Sequence, residues 1–425
     1  MNARPPDVVW KLWQTILFRF LVIFLFLLSQ VAYNPFLNLL GYGYRQARQL
    51  SEKLTTLASW LDDYIFHVGF LPGKHIADFN DTHFGVVLLL AIFIIAIIGC
   101  FIWSMLDKNR INYDRFYYWF STYLAFYIFL AMIPYAVQKI IPIQAHYPTA
   151  PELLTRWGDL RNWEVLFRFM GTSPAYCMFC GWMELIASVL ILFHPTRILG
   201  GLLMTFALAQ VVLFNIFYNN NIIMLSGILL LSTLFITASS FPKLFAILIR
   251  LKAVSLVQKR YKFSTPWKKF VFMAIFFFPL WKVYKVTTRS WAFYEGVVRN
   301  QEKQRLYNVI SYKQGNEILA PLTTDTLRWR YVCFLDYAPN NQKMVKFDMR
   351  ESQESHSIEW DTLHKKIYFS DEKTWELSYA YFPNGSLELT GNWQGRDIKV
   401  QLAKMSIDTL NLVKDKFLFM QEDQD

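Results

Sequence analysis

The sequence predicts an α-helical polytopic membrane bundle of about seven transmembrane helices, followed by a C-terminal all-β extracytoplasmic domain. Long uncharged apolar runs crowd the chain before residue 285, and after about residue 300 it turns to short aromatic and β-branched segments of balanced charge. Composition agrees: 54% of the 425 residues are hydrophobic and 18% are aromatic, more than one water-soluble core accommodates.

The helical domain, 1–290, is justified span by span. Residues 12–31 hold one charge, Arg19, and are too rich in Phe and Leu for a signal-peptide core. Val31-Ala32-Tyr33 is a poor cleavage site, so this helix is expected to be retained. Residues 84–106 are uncharged throughout, and about 20 apolar residues cross a hydrocarbon core. Further spans are expected at 116–136, 176–193, 198–217 and 222–238, with Asn219, Asn220 and Asn221 making a tight hairpin between the last two. The final span, 268–284, is short, but Lys268, Lys269, Trp281 and Lys282 can anchor it at the interface.

Between the first two spans, residues 45–66 read as an interfacial helix. Leu50, Leu54, Leu57, Trp60, Leu61 and Ile65 recur at helical spacing there, with Arg48, Lys53 and Asp62 between them. Residues 71–83, with Pro72, Gly73 and Asn80-Asp81-Thr82, read as a loop. Residues 140–174 read as a second outer loop, opened by Pro142 and closed by Gly171-Thr172-Ser173-Pro174.

The net charge of +11 invites a nucleic-acid reading, but its distribution points to the membrane and excludes nucleic acid as the expected partner. Eight Lys or Arg and no acid lie between Pro242 and Lys269, and Lys108, Arg110, Arg115 and Arg197 occupy the other loops of that side. Residues 33–83 hold four basic and five acidic side chains, and the chain from Lys282 onward holds twenty of each sign. The positive-inside rule then places the N-terminus in the cytoplasm and, with seven spans, the C-terminal domain outside. Six spans would place that domain inside. A bacterial cytoplasmic (inner) membrane is the expected location, with the bilayer and an envelope protein as partners.

The C-terminal domain, 300–425, carries strand signals at 328–336, 343–350, 365–370, 375–382, 386–393 and 397–404, and a hairpin turn at Asn384-Gly385. Antiparallel hairpins closing into a small barrel or sandwich are the simplest packing.

Ionisable side chains inside a bilayer line cavities or pair with one another. Arg19, Lys139 and Glu184 fall within spans, with Tyr135 one turn from Lys139, and Gln144, Arg168 and Asn215 near outer ends. A shared polar pocket opening outward is the functional expectation; structural ion pairs or snorkelling side chains are the alternative. Cys177 and Cys180 form a C-x-x-C that would suit thiol exchange or electron transfer to a quinone, although cysteine is also an ordinary apolar filler of membrane helices. His67, His75 and His83 lack a metal-ligand spacing, and no metal site is expected. The chain carries no P-loop, dinucleotide fingerprint, nucleophile elbow or zincin motif.

A sequence of short motifs adds to this reading. Met132-Ile133-Pro134-Tyr135-Ala136-Val137-Gln138-Lys139, then Gln144, Phe169-Met170-Gly171-Thr172-Ser173, Gly181-Trp182-Met183-Glu184 and Asn215-Ile216-Phe217-Tyr218 follow in order. With Gly395-Arg396-Asp397-Ile398-Lys399-Val400 near the end, they resemble the DoxX-like membrane proteins in their long, Bacteroidetes-type form, which pairs a helical domain with a C-terminal β domain. The resemblance implies that Arg19, Tyr135, Lys139, Gln144, Glu184 and Asn215 occupy the family's polar positions, and that a quinone-like lipid carrier is the cofactor to look for. Asn219 and Ile223 stand where the resemblance leads one to expect Asp and Lys. Fold does not name function. Two function classes therefore follow: a quinone-linked oxidoreductase or its subunit, or a non-enzymatic envelope anchor whose β domain binds a partner or lipid.

Overall fold

A computed structural model describes residues 9–31, 56, 59–67, 81–110, 112–254, 265–299, 304–338, 341–370 and 375–414. The chain divides into two compact units, 1–140 with 175–288, and 141–174 with 289–425.

The first unit is helical. Its long helices are α1 (Leu12–Val31), α2 (His83–Leu106), α3 (Asp114–Ile140), α6 (Pro174–Leu192), α7 (Arg197–Phe217), α8 (Ile223–Thr237) and α10 (Thr265–Phe293), with the short α9 (Phe241–Leu248) after α8. Among the described residues, six stretches are long and apolar enough to cross a membrane, α8 and α9 counting as one. The 29-residue α10 is a helix longer than the span expected at 268–284. The α3 helix is the centre of the unit, with Leu124, Ala125, Tyr127, Ile128, Leu130, Ala131 and Ile133 wholly buried. The expected interfacial helix at 45–66 lies mostly outside the described residues. Its last part is a helical turn running into the π-helical turn Asp62–Phe66, ended by His67 in the left-handed region.

The helix ends are closed by side chains. Asp81 accepts from the backbone N–H groups of Ile223 (2.6 Å) and Met224 (2.8 Å), placing a carboxylate on the positive N-terminus of α8. Arg197, 4% exposed, donates to the carbonyls of Ile191 and Leu192 at the C-terminus of α6 and to Thr122 Oγ1. The sequence counted it among the basic loop residues; it is instead a buried cap.

The second unit is an eight-stranded closed barrel with an inserted segment. The strands are β1 (Arg305–Gln314), β2 (Glu317–Ile318), β3 (Trp329–Ala338), β4 (Asn341–Asp348), β5 (Gln353–Asp361), β6 (Lys366–Phe369), β7 (Glu376–Tyr381), β8 (Leu387–Trp393) and β9 (Arg396–Met405). Neighbours pair antiparallel in the order β1-β3-β4-β5-β6-β7-β8-β9, and β9 returns to β1 from Leu306↔Met405 to Gln314↔Ile398, so no long edge remains. The two-residue β2 only extends the end of β1. Interior positions carry Val332, Phe334, Ile367, Leu377, Leu389 and Val400, each buried.

The segment 141–174 belongs to this unit and is not the plain loop the sequence suggested. It contains α4 (Ala150–Leu154) and α5 (Asn162–Thr172). Ala150 and Leu154 pack on Leu306, Cys333, Leu335, Val345 and Phe347 of the barrel's outer face. The Ala150 N–H donates to Gln304 Oε1 (2.6 Å), and Arg156 pairs with Glu351 (2.5 Å), which also pairs with Arg330.

Candidate functional site

In the helical unit, Lys139 with Glu184, Arg19 and Asn215 are held by separate sets of partners. Lys139, on the last turn of α3, and Glu184, midway along α6, form a bidentate pair: Nζ donates to Oε1 at 2.6 Å and to Oε2 at 2.8 Å. Their side chains are 10% and 5% exposed. Gly181 makes this possible. A Cβ there would stand 2.7 Å from Ala136 O and 2.8 Å from Ile140 N, so only glycine lets α6 approach α3 this closely. Tyr135 sits one turn before Lys139 at the edge of the apolar core.

Arg19 is elsewhere. Its guanidinium donates to Tyr113 Oη (2.9 Å), Ser104 Oγ (2.9 Å) and the carbonyl of Asp107 (2.6 Å), and Tyr113 in turn donates to Asp107 Oδ2 (2.7 Å). Arg19 therefore fastens α1 to the end of α2 and does not reach mid-membrane polar groups as expected. Asn215 is also structural. It donates to Ser226 Oγ (3.1 Å) and accepts from Asn220 Nδ2 (3.0 Å), tying the α7–α8 hairpin. Asn219 takes the left-handed turn position there, at φ 50°.

Gln144 and Arg168 belong to the barrel unit. Arg168 donates to Glu152 O (2.8 Å) in α4, and Gln144 Oε1 is buried with no partner among the described residues. Within the helical unit the expected residues thus give a closed Lys139–Glu184 pair, an Arg19 clamp and an Asn215 hairpin tie, while Gln144 and Arg168 belong to the other unit. Cys177 is buried and Cys180 half-buried, and both are free thiols. Cys177 lies seven residues before Glu184, on the same face of α6. Among the described residues no group of three or more His, Cys, Asp or Glu is placed to hold a metal.

The barrel holds a charged cluster that the sequence did not single out. Lys346, 4% exposed, points inward from β4, with Nζ 3.0 Å from Glu354 Oε1 and 6.0 and 5.7 Å from the ring centroids of Trp329 and Trp393. His356 on the next strand packs edge-on against Phe369, Trp375 and Trp393. At the other mouth Arg305 bonds Tyr381 Oη (2.6 Å) and lies 4.6 Å from the Trp360 ring centroid.

Comparison with known family models, characterised proteins and solved structures finds no match. The likeness to DoxX-like proteins rests on the short motifs alone.

Proposed function

We propose that this chain is a non-enzymatic membrane anchor that holds a β-barrel outside the cytoplasm to bind a partner or ligand of the cell envelope. One observation carries the reading: the segment between α3 and α6 is built into the barrel unit through Ala150, Leu154 and Arg156. The segment and the barrel therefore share one side of the membrane. From residue 174 onward the chain crosses at α6, α7 and α8–α9, and only a fourth crossing by α10 returns it to that side. Seven crossings support an N-terminus opposite the barrel, and the basic loop at 241–269 supports a cytoplasmic N-terminus. The intramembrane charges suit an anchor, because Lys139 and Glu184 satisfy each other and Arg19 has three acceptors.

A second reading, a quinone-linked oxidoreductase subunit of DoxX-like kind, is favoured by the buried Cys177 thiol on the face of α6 that carries Glu184. Complementation of a gene-deletion phenotype separates the two. The anchor reading expects the chain carrying both Lys139→Met and Glu184→Leu to complement and a chain lacking residues 300–425 to fail. Failure of the double variant at normal membrane abundance, with success of the barrel-less chain, would reverse the assignment.

A further inference from the structure

An eight-stranded barrel is just wide enough for its own side chains or for one small ligand. Here the middle is filled, by Trp329, Phe334, Phe369 and Leu389 among others. At the mouth where β1 ends and β9 begins the filling stops. A small solvent-open cleft of about 50 Å³ is lined there by Tyr312, Gln314, Lys346, Glu354, Trp393 and Arg396.

The charges of this cleft do not balance. Lys346 is compensated by Glu354, whose side chain is 50% exposed, so water already competes for that carboxylate. Glu354 also lies 3.6 Å from His356 Nε2. The Arg396 guanidinium has only an amide: with its oxygen turned inward, Gln314 accepts from Nε at 3.2 Å and from Nη1 at 3.0 Å. Among the described residues no carboxylate pairs with Arg396. Asp325, on the loop beside the cleft, directs Oδ1 to the backbone N–H groups of Leu327 (2.7 Å) and Arg328 (3.3 Å). Two cations thus face one half-solvated acid.

Resting on the reading of the barrel as the binding part, we propose that this cleft binds the carboxylate of a small organic acid. The planar fork of Arg396 takes both carboxylate oxygens in place of the neutral Gln314 oxygen. Lys346 donates to the same group from below and keeps Glu354, half in water, as its other acceptor. One bound negative charge neutralises the cleft, whereas a phosphate dianion beside Glu354 would overfill it. Leu327, Ile398 and the rings of Tyr312 and Trp393 form apolar walls for the carbon chain.

The test is isothermal titration of the purified full chain in detergent with sodium pentanoate, at constant ionic strength. Chloride and inorganic phosphate serve as controls. Saturable one-to-one binding is expected, weakened at least tenfold in Arg396→Gln and in Lys346→Met and absent with both controls. Arg396 is exposed at the mouth, so its variant keeps the barrel, which far-UV circular dichroism verifies. No saturable heat with pentanoate, equal binding by Arg396→Gln, or tighter binding of phosphate would each overturn the proposal. A barrel-less chain that complements would remove the function of the barrel itself, whereas failed titration with intact complementation by the full chain removes only the ligand.

Discussion

Each unit buries a lysine paired to a carboxylate, and the two are compensated in different ways. Lys139 in the helical unit is locked bidentate to a carboxylate that is itself 5% exposed. Lys346 in the barrel reaches a carboxylate that is half in water, and rests between two indole rings. The first pair is a closed device, in which neither partner can leave without stranding a charge. The second is an open one, whose acid can be exchanged for water or for another anion. Burial of a cation alone does not mark a site; the exposure of its counter-ion does.

The largest effect tests the closed pair. Lys139→Met leaves Glu184 buried without a partner, and breaking a buried pair from one side costs about 3–5 kcal/mol. A large drop in the melting temperature of the detergent-solubilised chain is expected. Lys139→Met combined with Glu184→Leu should recover most of it, because apolar residues of similar volume replace a buried pair at little cost. A double variant as unstable as the single one would mean that the pair does more than hold the helices. Next in size, Gly181→Val wedges α6 away from Ala136 and Ile140, for a loss of about 1–3 kcal/mol in the same assay. Its effect should shrink in the double variant, where no short ion pair demands close approach. The open pair should respond least: Lys346→Met frees Glu354 to water, and a change within about 1 kcal/mol is expected. A loss as large as that of Lys139→Met would erase the distinction between the two lysines.

Most of the fold was legible because hydrocarbon imposes an unambiguous length on apolar runs. The expected spans at 12–31, 84–106 and 198–217 differ from α1, α2 and α7 by a residue or so. The barrel was partly legible. Six strand signals correspond to β3, β4, β6, β7, β8 and β9, but β1 and β5 were missed. In β5, Glu354 and His356 face inward, so the interior stripe does not read as apolar. The outer face of the barrel misleads in the opposite sense. On β4, Val345 and Phe347 point outward and Lys346 points inward, the reverse of ordinary alternation, because α4 covers the outer face. No local pattern reveals that a segment some 190 residues upstream supplies that cover. The charges of the helical unit were visible as residues within spans, but which partner each would meet was not. Asp81 and Arg197 were passed over because helix ends look like loops until their carbonyl and N–H partners are located.

That upstream cover is itself held by charge, and its pH response is the finest test of how open ion pairs behave. Glu351, in the left-handed position after β4, accepts from Arg156 of the inserted segment and from Arg330 of β3. The hydrogen bond from Arg156, followed by the charges of Arg330 and Arg156, holds its carboxyl below the ordinary range of about 4.3. A depressed carboxyl stabilises the fold fully above its unfolded value, and the contribution is lost as pH falls through the folded value. Holding the segment on the barrel should therefore be constant at neutral pH and weaken only below about pH 4.3, where Glu351 takes up its proton. With its side chain 28% exposed and Arg156 half exposed, the effect is small. Hydrogen exchange of residues 150–156, followed from pH 7 to pH 3 and corrected for the intrinsic rate, should show protection falling in that window. Glu351→Gln should lower protection at neutral pH and flatten the profile. Protection of the same segment that falls near pH 6 instead would assign the clamp to a histidine, and with it the idea that Glu351 fixes the inserted segment would fail.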